Sequence, residues 1–143
     1  DGHCIGEGAF SFVFKAYPVN SNNNGSAFAL KKVLIQSNTI RENVKSEVDS
    51  LRRFVHPNIV ELLDVVYTKE PNTNTSVAYL LFPFAERGTL RHELTLQLED
   101  TTMKRMSVKE VLSNYLSILE AVTVLHEHTE DAYVHQDIKP EVY

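Results

Sequence analysis

The sequence has little that would cross-link it, carry it through a membrane or attract it to nucleic acid. Cys4 is the only cysteine among 143 residues, so no internal disulfide can form. It has no run of about 18 apolar residues, which excludes a membrane-spanning helix from this sequence. Lys and Arg total 14 against 19 for Asp and Glu, giving a net charge of −5. This acidic balance gives no electrostatic reason to expect a nucleic-acid partner.

Apolar residues are nevertheless plentiful enough to build a folded core, because 43% of the sequence is hydrophobic. Short apolar segments alternate with polar connectors, and together they predict an α+β fold of about one domain in length. Strands are predicted at residues 10–14, 28–35, 59–67 and 77–84. The last two flank a turn-rich connector and are expected to pair as an antiparallel hairpin.

A first helix is predicted at residues 39–54. Val44 and Val48 recur there at helical spacing, and further apolar residues continue the same face. Thr39 and Glu42 fit a capping box, in which each residue satisfies a backbone N–H of the other at the start of a helix. The pattern therefore predicts that this helix begins at Thr39.

A second helix is predicted at residues 107–126, and Ser107 with Glu110 forms its capping-box pair. Apolar residues occupy most of the circumference of this helix. Such a helix is normally buried on nearly all sides, yet little else in the chain is available to cover it. We therefore expect an exposed apolar face that makes the isolated chain prone to association.

Residues 6–13 read Gly-Glu-Gly-Ala-Phe-Ser-Phe-Val and predict a glycine-rich turn between strands. Glycine lets backbone N–H groups approach phosphate oxygens without an obstructing side chain. Two glycines in a hairpin are also common in an ordinary turn, so the motif is weak evidence by itself. A dinucleotide-binding fingerprint is disfavoured, because Ser11 takes the third glycine position and the residues after Gly8 indicate a strand rather than a helix.

Lys31 lies within the apolar strand at 28–35, where an unpaired ammonium would be costly to bury. Glu47, on the inward face of the first helix, is the candidate partner. The alternative is that Lys31 is a surface residue beside Lys32 and that Glu47 is a solvated helix charge. Neither residue decides between these interpretations alone.

Asp137 and Lys139 follow the second helix, within residues 134–141. A carboxylate in such a pair can orient an attacking hydroxyl, and a lysine two residues later can offset charge on a transferred phosphoryl group. An isolated Asp-x-Lys is common in loops. The full order of elements is not common: a glycine turn, a lysine in a strand, a glutamate in a helix and then this pair. Together these elements indicate phosphoryl transfer.

With these elements in order, the sequence resembles a eukaryotic protein kinase over essentially its whole length. The glycine turn resembles the glycine-rich loop of that family, and Glu47 precedes the segment beginning at His56 by the nine residues expected of the C-helix glutamate. The matching segments are Gly6-x-Gly8-x-Phe10-x-x-Val13, Ala29-x-Lys31, Glu47, His56-Pro57-Asn58-Ile59-Val60 and His135-Gln136-Asp137.

The resemblance implies a fold and an activity. The fold would be a small lobe at residues 1–82, with a five-stranded antiparallel sheet and a C helix, then a hinge at 83–88 and the first helices of a large lobe at 89–143. The activity would be ATP-dependent and Mg²⁺-dependent transfer of the γ-phosphate to Ser or Thr hydroxyls of a protein substrate. Asp137 and Lys139 would be the catalytic residues, and Lys139 in this position is typical of the serine/threonine class.

The resemblance also implies a nucleotide site. Phe82 falls at the gatekeeper position, while the Pro83 carbonyl and the Ala85 N–H would face adenine; proline lacks an N–H, but only its carbonyl is required there. The residues implied to bind ATP are Ile5, Gly6, Gly8, Val13, Ala29, Lys31, Glu47, Phe82, Pro83, Ala85 and Leu90. No metal ligand is assigned, because the residues that would hold Mg²⁺ lie mostly outside this sequence.

Within the kinases, the run from Leu81 to Leu90, Leu-Phe-Pro-Phe-x-x-Arg-Gly-Thr-Leu, is similar to the Numb-associated kinase group, in particular its myristoylated and palmitoylated serine/threonine kinase branch. We accordingly expect a cytoplasmic protein. Membrane association is expected only through a lipidated N-terminal segment that this sequence does not include.

Two positions depart from the kinase pattern. Gln136 replaces the arginine of His-Arg-Asp, which usually holds a phosphorylated activation loop. Val142 takes the place of the second metal-binding asparagine, and valine offers no oxygen to Mg²⁺. Two explanations stay open. We favour a fragment or mispredicted product of a whole kinase, which would be inactive alone; the alternative is a truncated pseudokinase that acts as an ATP-binding or partner-binding regulatory module.

Overall fold

The computed structural model describes residues 3–19, 26–100, 102–128 and 133–141, except for the side chain of His3. The chain forms two compact units. The first, the sheet unit, contains Asp1–Val55 and Val60–Phe84, and the second, the helical unit, contains His56–Ile59 and Ala85–Tyr143. Among the described residues, no helix combines the length and the apolar character needed to cross a bilayer.

The sheet unit is a five-stranded antiparallel sheet with one helix, as the predicted fold class requires. The strand order is β1-β2-β3-β5-β4, and every neighbouring pair is antiparallel. The helix α1 spans Asn38–Arg53 and follows β3 directly. The strands are β1 (His3–Gly8), β2 (Ser11–Ala16), β3 (Phe28–Ile35), β4 (Asp64–Lys69) and β5 (Ser76–Pro83).

The core of the sheet unit lies between α1 and one face of the central strands. Alternate residues of a strand point to the same face, so β3 and β5 each present a row of apolar side chains to the helix. Val44 and Val48 of α1, one turn apart, cover those rows. The buried cluster consists of Val33, Ile35, Val44, Val48, Ala78 and Leu80.

The predicted start of α1 is wrong. Ser37, rather than Thr39, is the N-cap, and its Oγ accepts a hydrogen bond from the Ile40 N–H at 3.2 Å. Ser37 has the extended backbone that an N-cap requires, with φ −146° and ψ 164°. Thr39 already lies inside the helix, so the predicted Thr39–Glu42 capping box does not form.

The strand predicted at 59–67 is also wrong in its first half, because β4 begins only at Asp64. The Ile59 N–H donates to the His56 carbonyl at 3.0 Å and closes a turn there. Apolar character alone cannot separate such a segment from a strand, and sheet pairing decides instead. Leu63 is the first residue of this segment bonded to β5, through its N–H and the Leu81 carbonyl at 2.8 Å.

The helical unit contains α2 (Leu90–Glu99) and α3 (Val108–His126). The predicted capping box of α3 is confirmed: the Glu110 N–H donates to Ser107 Oγ at 3.2 Å, and the Ser107 N–H donates to Glu110 Oε2 at 2.7 Å. The Ser107 hydroxyl also donates to Glu110 Oε2 at 2.6 Å, and this bond, followed by the one from the Ser107 N–H, lowers the pKa of the Glu110 carboxyl.

The exposed apolar face expected on α3 is present. Ala121 is the only buried residue of this helix. Its exposed large apolar side chains are Val108, Val111, Leu112, Tyr115, Leu116 and Leu119. Tyr115 and Leu116 are each 57% exposed, so the apolar circumference read from the sequence is not covered within the described structure.

Candidate functional site

The glycine-rich segment forms the hairpin between β1 and β2. Gly6 pairs with Val13 and Gly8 pairs with Ser11, with an irregular register between Cys4 and Gly6 that leaves Ile5 out of the pairing. A Cβ added to Gly8 would lie 2.8 Å from Ser11 Oγ, so a side chain there would force that hydroxyl to move. Because a serine hydroxyl can rotate away, this contact disfavours a side chain at position 8 without requiring glycine there.

Lys31 and Glu47 form the ion pair that the sequence predicted. Lys31 lies in the middle of β3, on the face that carries Val33 towards α1. Its Nζ donates to Glu47 Oε1 at 2.6 Å, a charge-assisted bond slightly shorter than the usual range of about 2.7–2.9 Å. The Lys31 side chain is 27% exposed and that of Glu47 37%, so both retain some contact with solvent.

Several predicted nucleotide residues share a sheet face with Lys31. Val13 is the direct cross-strand partner of Lys31, and Ala29 pairs directly with Phe82. Directly paired residues in antiparallel strands lie on the same face. Ala29 stands two residues before Lys31, so these four side chains belong to one face of the sheet. The structure thus brings together Val13, Ala29, Lys31 and Phe82, and Phe82 also packs against the core cluster.

A second lysine pair, which the sequence did not predict, occupies the opposite face of the sheet. Lys32 Nζ donates to Glu70 Oε1 at 2.9 Å. This hydrogen bond raises the pKa of Lys32 above its usual value. Glu70 follows β4, which reaches β3 only through β5, so the pairing depends on a strand register that a single sequence does not display.

The remaining predicted nucleotide residues are Pro83, at the end of β5, and Ala85 and Leu90, which follow β5 in the sequence. Pro83 is the last residue of β5 and pairs with Phe28. In the helical unit, the Ala85 carbonyl accepts from the Gly88 N–H at 3.1 Å, which closes a turn before Leu90 begins α2. Gly88 has φ 71°, and a Cβ there would lie 3.2 Å from His92 Cδ2, so this turn requires glycine.

The predicted catalytic pair lies in the helical unit, in a segment without helix or strand. Lys139 Nζ is 2.9 Å from Asp137 Oδ2, and their side chains are 48% and 65% exposed, respectively. The Asp137 N–H donates to His135 Nδ1 at 3.3 Å. Gln136, between them, has φ 62°, a left-handed conformation that is uncommon for residues other than glycine.

Arg91 connects this segment to α2 and was missed by sequence reasoning. Its backbone N–H lies in the first turn of α2, where it has no partner within the helix. It donates instead to the Pro140 carbonyl at 2.9 Å. Its guanidinium lies 3.9 Å from Glu141 Oε1. No local motif marks such a contact, because the two partners are far apart in sequence.

The described residues contain no group of three or more His, Cys, Asp or Glu side chains placed to hold a metal ion. Val142, the predicted departure at the metal-binding position, lies outside the described residues. The described side chains therefore do not form a complete Mg²⁺ site.

Comparison with known proteins identifies the chain's relatives. Residues 1–142 match the family described as Protein kinase domain. A probable serine/threonine-protein kinase of Dictyostelium discoideum is 33% identical over 95% of this chain and 37% of its own length. Serine/threonine-protein kinase 16 of Homo sapiens is 34% identical over 95% of this chain and 41% of its own length.

A more distant match is the calcium/calmodulin-dependent protein kinase type II of Schizosaccharomyces pombe, which is 31% identical over 96% of this chain. The chain spans 37% and 41% of the lengths of the Dictyostelium and human relatives, respectively. Each of these proteins is named as a kinase acting on proteins.

Proposed function

Since the chain belongs to the protein kinase domain family, we propose that its protein is an ATP-dependent serine/threonine kinase that transfers the γ-phosphate of ATP to Ser and Thr hydroxyls of proteins. The observation that carries the proposal is the 2.6 Å pair between Lys31 and Glu47. It spans β3 and α1 beside the glycine hairpin, where a fixed ammonium is needed to hold phosphates. The serine/threonine kinase names of the relatives support the substrate class.

In this proposal the sheet unit holds the phosphates of the nucleotide. Backbone N–H groups near Gly6 and Gly8 and the ammonium of Lys31 hold the phosphates, while Glu47 fixes the position of Lys31. Apolar side chains from Ile5, Val13, Ala29 and Leu90 enclose the adenine. Phe82 lies behind the base, and the Pro83 carbonyl and Ala85 N–H give it hydrogen-bonding partners.

The proposed chemistry belongs to Asp137 and Lys139. The Asp137 carboxylate orients the substrate hydroxyl and accepts its proton, and the Lys139 ammonium offsets the negative charge of the transferred phosphoryl group. Mg²⁺, which kinases use to neutralise the phosphates of ATP, would need oxygen ligands beyond the residues described here. The 2.9 Å Lys139–Asp137 contact supports a shared role for these two side chains.

We also propose the finer assignments made from the sequence. Residues 1–82 would be the small lobe, 83–88 the hinge and 89–143 the start of the large lobe. The run from Leu81 to Leu90 supports membership in the Numb-associated group, in its myristoylated and palmitoylated branch. The proposed location is the cytoplasm, with membrane association only through a lipidated N-terminal segment.

A regulatory module without phosphotransfer is the second candidate function. It is favoured by Gln136 and Val142, which replace an arginine and a metal-binding asparagine of the kinase pattern. Such a module would bind ATP or a protein partner and leave γ-phosphate transfer to another enzyme.

A phosphotransfer assay on the full-length protein distinguishes the serine/threonine kinase from the regulatory module. The assay follows γ-³²P from ATP to a mixture of Ser/Thr-containing peptides and compares wild type with Asp137→Asn and with the matched control Asp49→Asn, an exposed carboxylate on α1. The kinase proposal predicts activity that Asp137→Asn reduces by about a hundredfold or more and that Asp49→Asn leaves unchanged. Nucleotide binding without transfer in the wild type would instead favour the regulatory module.

A further inference from the structure

Lys15 of β2 makes a contact with two aromatic rings that the proposed phosphotransfer does not use. Its Nζ lies 4.1 Å from the centroid of the Phe84 ring and 5.9 Å from the centroid of the Tyr17 ring. Both distances fall within the roughly 6 Å over which an ammonium group is attracted to the face of an aromatic ring. The shorter contact joins β2 to the residue that follows β5, and both of its members belong to the sheet unit.

The sheet register places Lys15 on the face that carries the proposed nucleotide residues. Ala29 of β3 pairs with Lys15 on one side and with Phe82 of β5 on the other, so the three residues form one row across the sheet. Directly paired residues share a face, and Val13 and Lys31 lie on the same one. Lys15 stands two residues beyond Val13, the direct partner of Lys31, which is about 7 Å along the strand. It therefore lies at the end of this face away from the phosphate-binding lysine.

The Lys15 side chain spans β3 to reach Phe84. Neighbouring strands are about 4.8 Å apart, so β2 and β5 are about 10 Å apart with β3 between them. The partner of Lys15 on β3 is Ala29, whose single methyl group leaves room for the lysine stem. Lys15 and Phe84 are both partly buried, and an ammonium–ring contact is stronger there than on an open surface.

Phe84 stands between the two backbone groups proposed to bind adenine. The Pro83 carbonyl belongs to the peptide bond before Phe84, and the Ala85 N–H belongs to the peptide bond after it. Because peptide bonds are planar, the angle between these two groups is set by the φ and ψ dihedrals of Phe84. An anchored ring limits those dihedrals, since the side chain and the backbone meet at the same Cα atom.

We propose that the contact between Lys15 and Phe84 positions the backbone that recognises adenine, and that it thereby sets the preference for ATP over other nucleotides. This inference rests on the proposed nucleotide site. The amino group of adenine would donate to the Pro83 carbonyl, and a ring nitrogen would accept from the Ala85 N–H. Hydrogen bonds weaken steeply as their angle closes, so both form together only when the two groups keep a fixed angle. Lys15 and Phe84 are positioning residues that act through the backbone.

The test compares ATP with inosine triphosphate, in which an oxygen replaces the amino group of the base and the neighbouring ring nitrogen carries a proton. This exchange puts an acceptor opposite the Pro83 carbonyl and a donor opposite the Ala85 N–H. Dissociation constants of both nucleotides for the full-length protein are measured by isothermal titration calorimetry. We expect the wild type to bind ATP more tightly, because inosine triphosphate leaves both backbone groups without partners.

Lys15→Met and Phe84→Leu each remove one member of the contact. Each is expected to weaken ATP binding by about threefold to tenfold and to change the binding of inosine triphosphate by less than about twofold. The double variant should lose no more than the larger single loss, because the two residues act as a pair. Lys15→Arg and Phe84→Tyr keep a cation and a ring, and should retain the wild-type preference. Lys45→Met removes the same charge from an exposed position on α1 and should leave both constants unchanged.

The outcomes separate this inference from the proposed nucleotide site. If Lys31→Met weakens ATP binding but Lys15→Met does not, the nucleotide site stands and the positioning role is overturned. Equal losses for the two nucleotides in Lys15→Met, additive losses in the double variant, or equal affinities of the wild type for both nucleotides would also overturn that role. No ATP binding by the wild type, or ATP binding that Lys31→Met leaves unchanged, would overturn the nucleotide site and this inference with it.

Discussion

The two units of this chain bury their apolar residues very differently. In the sheet unit, six buried side chains from β3, β5 and α1 form one cluster. In the described part of the helical unit, only Ala121 is buried, while α3 exposes a long row of apolar side chains. Burial of apolar surface is the main source of stability. The Lys31–Glu47 pair is therefore held by elements with a buried core, whereas the segment that carries Asp137 belongs to a unit whose described helices leave most of their apolar side chains exposed.

The largest expected effect contrasts two leucines, one from each unit. Leu80 is 0% exposed and Leu116 is 57% exposed. Leu80→Ala is expected to lower the free energy of unfolding by about 2–5 kcal/mol, because it removes core contacts and leaves a cavity. Leu116→Ala should change it by no more than about 0.5 kcal/mol. Urea unfolding of both variants tests the contrast, and an equal loss would show that α3 is packed more closely than its exposure indicates.

The next prediction concerns association through the same helix. Leu112 and Leu116 are both more than half exposed, and an exposed apolar row favours contact between copies of the chain. The double substitution Leu112→Glu, Leu116→Glu is expected to shift the sedimentation profile of the chain towards monomer. Ser113→Glu, also exposed on α3, adds negative charge without removing apolar surface. If Ser113→Glu has the same effect, charge rather than apolar contact governs association.

A smaller effect is expected at the start of α3. Ser107→Ala removes the N-cap and should cost about 0.5–2 kcal/mol, seen as faster hydrogen exchange in the first turns of α3. The pKa of Glu110 is lowered by its bonds to Ser107. The stability that the ionised Glu110 carboxylate adds to the folded chain is therefore present above its ordinary pKa of about 4.5. It is lost as the pH falls through the lowered pKa of the folded state. Ser113→Ala is the control, and equal acceleration in both variants would contradict the capping role.

The smallest effect is expected from the Lys32–Glu70 pair. The pKa of Lys32 is raised above 10.5 by Glu70, so its stabilisation is present at neutral pH and is lost as the pH rises through the raised pKa. Glu70→Gln should lower the free energy of unfolding by less than about 1 kcal/mol, because the pair is partly exposed. The difference from wild type should disappear above that raised pKa. A difference that persists there, or that Glu61→Gln reproduces, would assign the effect to something other than the ion pair.

Local patterns explain what could be predicted from the sequence. The bounds predicted for β3 agree with Phe28–Ile35, because its large apolar residues begin at Phe28, shortly after a polar connector, and end at Ile35, before Gln36 and Ser37. The α3 capping box could be predicted because its two residues are three positions apart in the sequence. The Lys31–Glu47 pair could be predicted because a lysine in an apolar strand needs a partner of opposite charge. The start of α1 was missed because Ser37 and Thr39 are both suitable caps, and only the backbone conformation of Ser37 decides between them.

Features that depend on strand register could not be predicted. The start of β4 is set by pairing with β5 rather than by its own composition. Lys32 meets Glu70, and Lys69 comes level with Ile35, only because β5 lies between β3 and β4 in the sheet. Residues distant in the sequence create these contacts, and no spacing within one segment reveals them.

Two adjacent lysines on opposite faces of β3 allow the most direct test of the proposed function. Each contacts one carboxylate, Glu47 for Lys31 and Glu70 for Lys32, so Lys31→Met and Lys32→Met remove the same charge and break comparable pairs. The measurement is γ-phosphate transfer from ATP to Ser/Thr peptides by the full-length protein with each substitution. The account predicts that Lys31→Met reduces transfer by about a hundredfold or more, whereas Lys32→Met retains nearly all of it. Equal losses in the two variants, or full transfer with Lys31→Met, would contradict the assignment of Lys31 as the phosphate-binding lysine.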